Sequence, residues 1–196
     1  LMTGMANLFG IGGSSLIARC LGEQKFEKAR HVSAFSVWAG FLFAAFYSVI
    51  LLLFHPFILR LLGAGDGTFS YCRSYMFWTC VIGGIPTVMN PLLAHLVRSE
   101  GASKEASIGV SLGGVINMIL DPVLILGPGP FPRLGVTGAA IATVTAQAIV
   151  MSIMILGIIA WKKENVLKGT RLFAKIPVEF LRGICRIGIP TALQGM

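Results

Sequence analysis

Apolar stretches of about helical-span length alternate with short polar breaks along the whole of this chain. The first, segment A, covers residues 1 to about 18 and is rich in glycine. A polar stretch, residues 18–31, follows it. Segment B runs from about 32 to 53 and extends on an apolar pattern toward Leu62. Gly63-Ala64-Gly65-Asp66-Gly67 then reads as a turn. Segment C, about 69–97, carries Pro86 and Pro91, and its first part is the least apolar. Residues 98–105 form a polar loop before segment D, 106–126. Gly127-Pro128-Gly129-Pro130-Phe131-Pro132 breaks segment D decisively. Segment E covers about 135–161. A basic stretch, 162–183, leads to Ile184-Cys185-Arg186-Ile187-Gly188-Ile189-Pro190, which reads as the start of another span. The chain opens mid-pattern on Leu1-Met2-Thr3-Gly4. A longer parent protein is therefore expected.

Each segment is close to the roughly 20 residues that an α-helix needs to cross a bilayer. The pattern predicts an all-α fold, a polytopic transmembrane helical bundle. Composition agrees: hydrophobic residues are 55% of the chain and charged residues 12%, against about 25% charged in a soluble domain. The predicted layout is transmembrane helices over 1–161, a basic cytoplasmic linker over 162–183, and the start of a further helix over 184–196.

The net charge of +8 would suit nucleic acid if the basic residues formed a stripe. They flank the apolar segments instead, so no nucleic-acid partner is expected. Loops 19–31, 98–105 and the basic stretch after segment E hold 13 of the Lys and Arg residues, and the opposite side holds three, Arg60, Arg73 and Arg133. The positive-inside bias puts the first set in the cytoplasm. The four cysteines show no metal or redox spacing and read as packing residues.

The conspicuous residue is Asp121, an acid in a run of apolar residues from 113 to 126. A charge at the centre of a bilayer costs roughly 2.5–3.5 kcal/mol on insertion scales, so such residues mark function by default. Asn117 lies one helical turn earlier, on the same face. Segments D and E are joined by a short loop and are expected to pack antiparallel. Counting from their outer ends brings Thr143 to a similar level, with Gln147 one turn deeper. Carboxylate, amide and hydroxyl oxygens suit Na⁺. A proton needs only the carboxyl, and an apolar setting favours it. Asp121, Asn117 and Thr143 are the expected cation or proton site, with Gln147 and His95 as secondary polar candidates. Thr143 also reads as a hydroxyl bonded to its own helix backbone. Pro86, Pro91 and Pro122 are candidate bending points. Gly109-Val110-Ser111-Leu112-Gly113 reads as close helix packing. No phosphate loop, nucleophile–base pair or catalytic metal-ligand set is present, so neither an enzyme nor a bound cofactor is expected.

The run 112–126 with its Asn117-x-x-x-Asp121-Pro122 core resembles the MATE family of multidrug and toxic compound extrusion transporters. So do Gly135-Val136-Thr137-Gly138-Ala139-Ala140-Ile141-Ala142-Thr143, Gly12-Gly13-Ser14-Ser15-Leu16-Ile17-Ala18-Arg19, the loop at 96–103, and Arg186-Ile187-Gly188-Ile189-Pro190. The resemblance implies a plasma-membrane antiporter of twelve helices in two lobes that exports organic cations in exchange for Na⁺ or H⁺, monomeric at full length. On that pattern segments A to E are the second to sixth helices. The first helix, which carries another site acid, and nearly all of the second lobe lie outside the chain. The proline-rich loop after Leu126 is longer than the family pattern. Two alternatives are a lipid-linked oligosaccharide flippase of the same superfamily and a membrane channel or scaffold without transport activity. The near absence of Lys and Arg from the spans favours the exporter over the flippase.

Overall fold

The computed structural model describes residues 2–63, 65–127, 133–160, 184, 186, 188, 190 and 191. The basic stretch 162–183 and most of 184–196 lie outside the described residues. All the regular elements described are helical: α1 (Met2–Gly22), α2 (Phe26–Leu61), α3 (Asp66–Met76), a π-helical stretch (Phe77–Ile82), α4 (Gly84–Ser99), α5 (Ser103–Leu126) and α6 (Val136–Ala160).

Three of them, α2, α5 and α6, are long and apolar enough to cross a membrane, and the bent pair 67–82 and 84–99 passes the same test when its two halves are taken as one span. The chain is thus a polytopic helical membrane bundle. At 21 residues α1 is also long enough, but five glycines dilute its hydropathy. Three of those glycines, Gly10, Gly12 and Gly13, serve packing. A Cβ at Gly10 would come within 3.3 Å of the Leu92 backbone on α4, and one at Gly13 would strike the Ser36 hydroxyl on α2.

Helix α2 realises the longer reading of segment B. It continues through Pro56 to Leu61 as 36 residues, roughly 54 Å of helix. Segment C departs from expectation in its bend. The 47° break falls between the π stretch and α4, not at Pro86 or Pro91. The Gly83 N–H bonds back five residues to the Trp78 carbonyl at 2.8 Å, which closes the wide turn. Pro86 sits in the first turn of α4, where its missing N–H costs nothing. Ser48 on α2 donates to the Cys80 carbonyl at 3.1 Å and ties the π stretch to its neighbour.

Helix α4 is the centre of the bundle. It packs against α1, α2, α5 and α6 and buries nine of its 16 residues, including Val88, Leu92 and Leu96 at 0% exposure. Helix α5 buries only Ala106 and Gly109, and Met118 and Ile119 stand exposed as they would toward lipid. It ends at Gly127, whose φ of +60° makes it a left-handed cap.

Close approaches fix the antiparallel register of α5 and α6. A Cβ at Gly109 would meet Met154 at 3.3 Å, one at Gly113 would meet Val150 at 3.0 Å, and one at Gly138 would overlap the Leu124 carbonyl. The small residues of the Gly109–Gly113 motif therefore do pack helix on helix.

Candidate cation site

The α5–α6 register sets Asn117 opposite Ala146 and Asp121 opposite Ala142. Both alanines are at most 1% exposed. Small residues at those two levels leave room for polar side chains between the helices. Asn117 and Asp121 lie on the same face of α5, and Asn117 Nδ2 donates to Asp121 Oδ2 at 3.3 Å. That bond fixes the amide: the nitrogen points at the carboxylate and Oδ1 points away. Asn117 Oδ1 and Asp121 Oδ1 are both buried without a partner.

Beside Asn117 is a cavity of about 300 Å³ between α4, α5 and α6. Asn117, Thr143, Gln147 and Asn90 are its polar lining, and among the described residues no Lys, Arg or His lines it. Asp121 lies one turn further along α5 and reaches the cavity through Asn117. Thr143 Oγ1 donates to the Ala139 carbonyl of its own helix at 3.0 Å, so its hydroxyl proton is committed and a lone pair is left over. Gln147 is tied to α4 twice. Its Oε1 accepts from Thr87 Oγ1 at 2.6 Å, and its backbone carbonyl accepts from Asn90 Nδ2 at 2.9 Å.

Asn90 and Thr87 are contributions from α4 that the sequence reading did not single out. The signal was an amide in the apolar run ahead of Pro91. Its face becomes known only once α4 is seen to pack on α6. Asn90 Nδ2 is spent on Gln147, and Asn90 Oδ1 is buried and free. Five buried side-chain polar atoms lack a partner among the described residues, and three of them are these acceptors on Asn90, Asn117 and Asp121. An unsatisfied buried acceptor costs about 1–3 kcal/mol, so each of the three calls for a partner that donates or carries positive charge.

His95 does not join this group. A Cβ at Gly10 of α1 would sit 3.0 Å from its ring, which places it on the α1 side of α4. No cluster of three or more His, Cys, Asp or Glu suited to a metal ion exists among the described residues. One carboxylate with amide and hydroxyl oxygens is instead the donor set of a hard monovalent cation or a proton.

The MatE family model matches residues 1–123, a stretch that contains Asn90, Asn117 and Asp121. This chain belongs to the MatE family. The MatE chain is 30% identical over 196 residues to the multidrug export protein MepA of Staphylococcus aureus (strain NCTC 8325 / PS 47), covering 100% of this chain and 42% of that protein. It is 28% identical over 195 residues to MepA of Staphylococcus saprophyticus, again covering 42% of the relative. The chain thus spans less than half the length of these curated relatives. Among solved structures, it matches the inward-facing conformation of a multidrug resistance MATE family transporter of the MOP superfamily with a TM-score of 0.86 at 28% identity, over 98% of this chain and 42% of that one. The outward-facing conformation of such a transporter also gives 0.86, at 26% identity over 98% and 41%. A MOP superfamily transporter from Pyrococcus furiosus, for which a binding pocket of reverse polarity suggests a different function, gives 0.86 at 26% identity over 98% and 41%.

Proposed function

We propose that this MatE chain supplies the coupling-ion site of a multidrug exporter, which moves organic cations out across the plasma membrane in exchange for Na⁺ or H⁺. The observation that carries the reading is the set of free acceptor oxygens on Asp121, Asn117 and Asn90. The bond from Asn117 Nδ2 steadies one carboxylate oxygen and leaves the other for the ion. Na⁺ would take Asp121 Oδ1, and a turn of the Asn117 amide would bring its Oδ1 to the same ion, with the Asn90 amide and the Thr143 hydroxyl as further donors. A proton on Asp121 would instead turn one free acceptor into a donor. Either occupant neutralises the acid, and loading it from alternate sides of the membrane couples its gradient to export. Substrate leaves as the ion binds.

Two further facts support this reading. The relatives that match the whole chain are named multidrug export proteins. Among the described residues the cavity lining holds no basic side chain, which fits an exporter of cations better than a flippase gripping anionic sugar-lipid head groups. The charge split of the loops supports an orientation with 19–31, 98–105 and 162–183 in the cytoplasm.

Asp121→Asn tests the reading in the full-length protein. The amide keeps size and hydrogen bonding but cannot gain or lose charge. Everted vesicles carrying the variant are expected to lose ethidium export while the protein stays inserted. Wild-type rates in the variant would overturn the assignment.

A further inference from the structure

A second cavity, of about 400 Å³, opens between α2 and the α3–π segment, apart from the cation site. Its lining divides by depth. His55 of α2 and Ser70, Arg73 and Ser74 of α3 lie toward the turn at 62–65. Leu52 of α2 and Trp78 and Val81 of the π stretch lie further from that turn. At about 1.5 Å per residue, the polar set on α3 falls roughly 6–12 Å below the helix start, and Val81 roughly 22 Å below it. Both helices thus present polar groups above and apolar groups beneath in the same cavity.

Arg73 is the charge in the upper half. Among the residues whose side chains are described, no carboxylate lines the cavity and Arg73 makes no ion pair. His55 Nδ1 donates to the Leu52 carbonyl at 2.9 Å, which leaves Nε2 open. The surrounding surface is aromatic: Tyr71, Tyr75, Phe54 and Phe57 all stand exposed. Exposed Tyr beside Arg near a span's end is the composition of the membrane–water interface.

The geometry points to a binding site for an anionic phospholipid. Arg73 and the hydroxyls of Ser70 and Ser74 hold the phosphodiester, and one acyl chain lies below against Leu52, Trp78 and Val81. A guanidinium fork suits two phosphate oxygens at once. The apolar lower half has no use in binding a soluble anion. Arg73 places a positive charge at the head-group end, so net negative lipid is preferred over zwitterionic lipid.

Native mass spectrometry of the full-length protein, titrated with phosphatidylglycerol or phosphatidylcholine of matched chains, reads this preference. Phosphatidylglycerol is expected to bind about five-fold more tightly, the worth of one basic residue at a membrane surface. Arg73→Gln removes the difference, and Arg133→Gln, which lies outside the cavity, keeps it. Trp78→Ala weakens both lipids alike. Ser74→Leu, which fills the head-group end, is the second variant should Arg73→Gln fail to insert. Equal affinities in the wild type overturn the proposal, and so does a preference that survives both Arg73→Gln and Ser74→Leu. Displacement of phosphatidylglycerol by excess inorganic phosphate would also overturn it and make the cavity a free-anion site.

Discussion

Gly138→Ala adds one methyl group where α6 crosses the end of α5, and the structure gives its consequence. The new Cβ would overlap the Leu124 carbonyl oxygen and lie 2.7 Å from the Leu124 carbonyl carbon and 3.1 Å from the Ile125 nitrogen. All three atoms are backbone, so no rotamer change relieves the overlap. The Leu124 carbonyl is also held by the Leu134 N–H at 3.2 Å. The helices must part by about 1 Å to reach ordinary contact in an interior packed as densely as a crystal. Overpacking of this kind costs about 1–3 kcal/mol. Asp121 lies one turn from Leu124, so the displacement reaches the carboxylate. A 1 Å misplacement at a functional centre costs on the order of 10²-fold. Gly157→Ala is the control, since a Cβ there meets nothing within 4 Å, and alanine is the better helix former by about 1 kcal/mol. Thermal unfolding in detergent and ethidium export from everted vesicles are the assays. Gly138→Ala is expected to lower the unfolding midpoint and cut transport, and Gly157→Ala to do neither. Indistinguishable behaviour of the two variants would refute the argued register of α5 and α6.

Asn90→Ala should weaken Na⁺ binding several-fold, read by isothermal titration, while leaving insertion intact; unchanged affinity would remove α4 from the site. Single cysteines at Gln24 and Lys168 should label from the cytoplasmic side with an impermeant reagent and one at Gly65 from the outside. Labelling of Gly65 and Lys168 from one side would refute the orientation. If Na⁺ and H⁺ share Asp121, raising Na⁺ at fixed pH should lower proton uptake, and Asp121→Asn should abolish both responses. Additive responses that survive the substitution would put coupling elsewhere.

Helix α5 was readable in sequence because an apolar run makes any polar residue conspicuous. Asn117 and Asp121 stood out for that reason, and their i, i+4 spacing gave the shared face that the 3.3 Å bond now reports. Thr143 was readable as a backbone-bonded hydroxyl for an equally local reason, the reach of a threonine to the carbonyl four residues back. Asn90 was not, because its role depends on which face of α4 meets α6, a fact set by packing. The bend near Gly83 escaped for a different reason. Proline is a visible helix breaker, and Pro86 and Pro91 drew the expectation, whereas a π turn inserts one residue into the ladder without any characteristic residue type. The second cavity was hidden likewise. Arg73 reads as one of three sparse basic residues on its side until α2 brings Leu52 and His55 against it.

The match to solved structures bears on how a small site can govern a large motion. The chain matches an inward-facing and an outward-facing transporter with a TM-score of 0.86 each, and the bent and straight forms of MATE with 0.86 and 0.87. The chain is thus similar to members of the family solved in several conformations. On the proposed reading, the ion acts on the side chains around Asp121. Asn90 and Asn117 each spend one amide nitrogen inside the bundle and keep one oxygen free. Withdrawing a cation leaves those oxygens and the carboxylate without a partner in an apolar setting, at about 1–3 kcal/mol for each group. Together they supply several kcal/mol, and moving a two-state equilibrium from 1:99 to 99:1 takes about 5.5 kcal/mol. On that reading, the polar cluster between α4, α5 and α6 is large enough in energy to bias a global rearrangement.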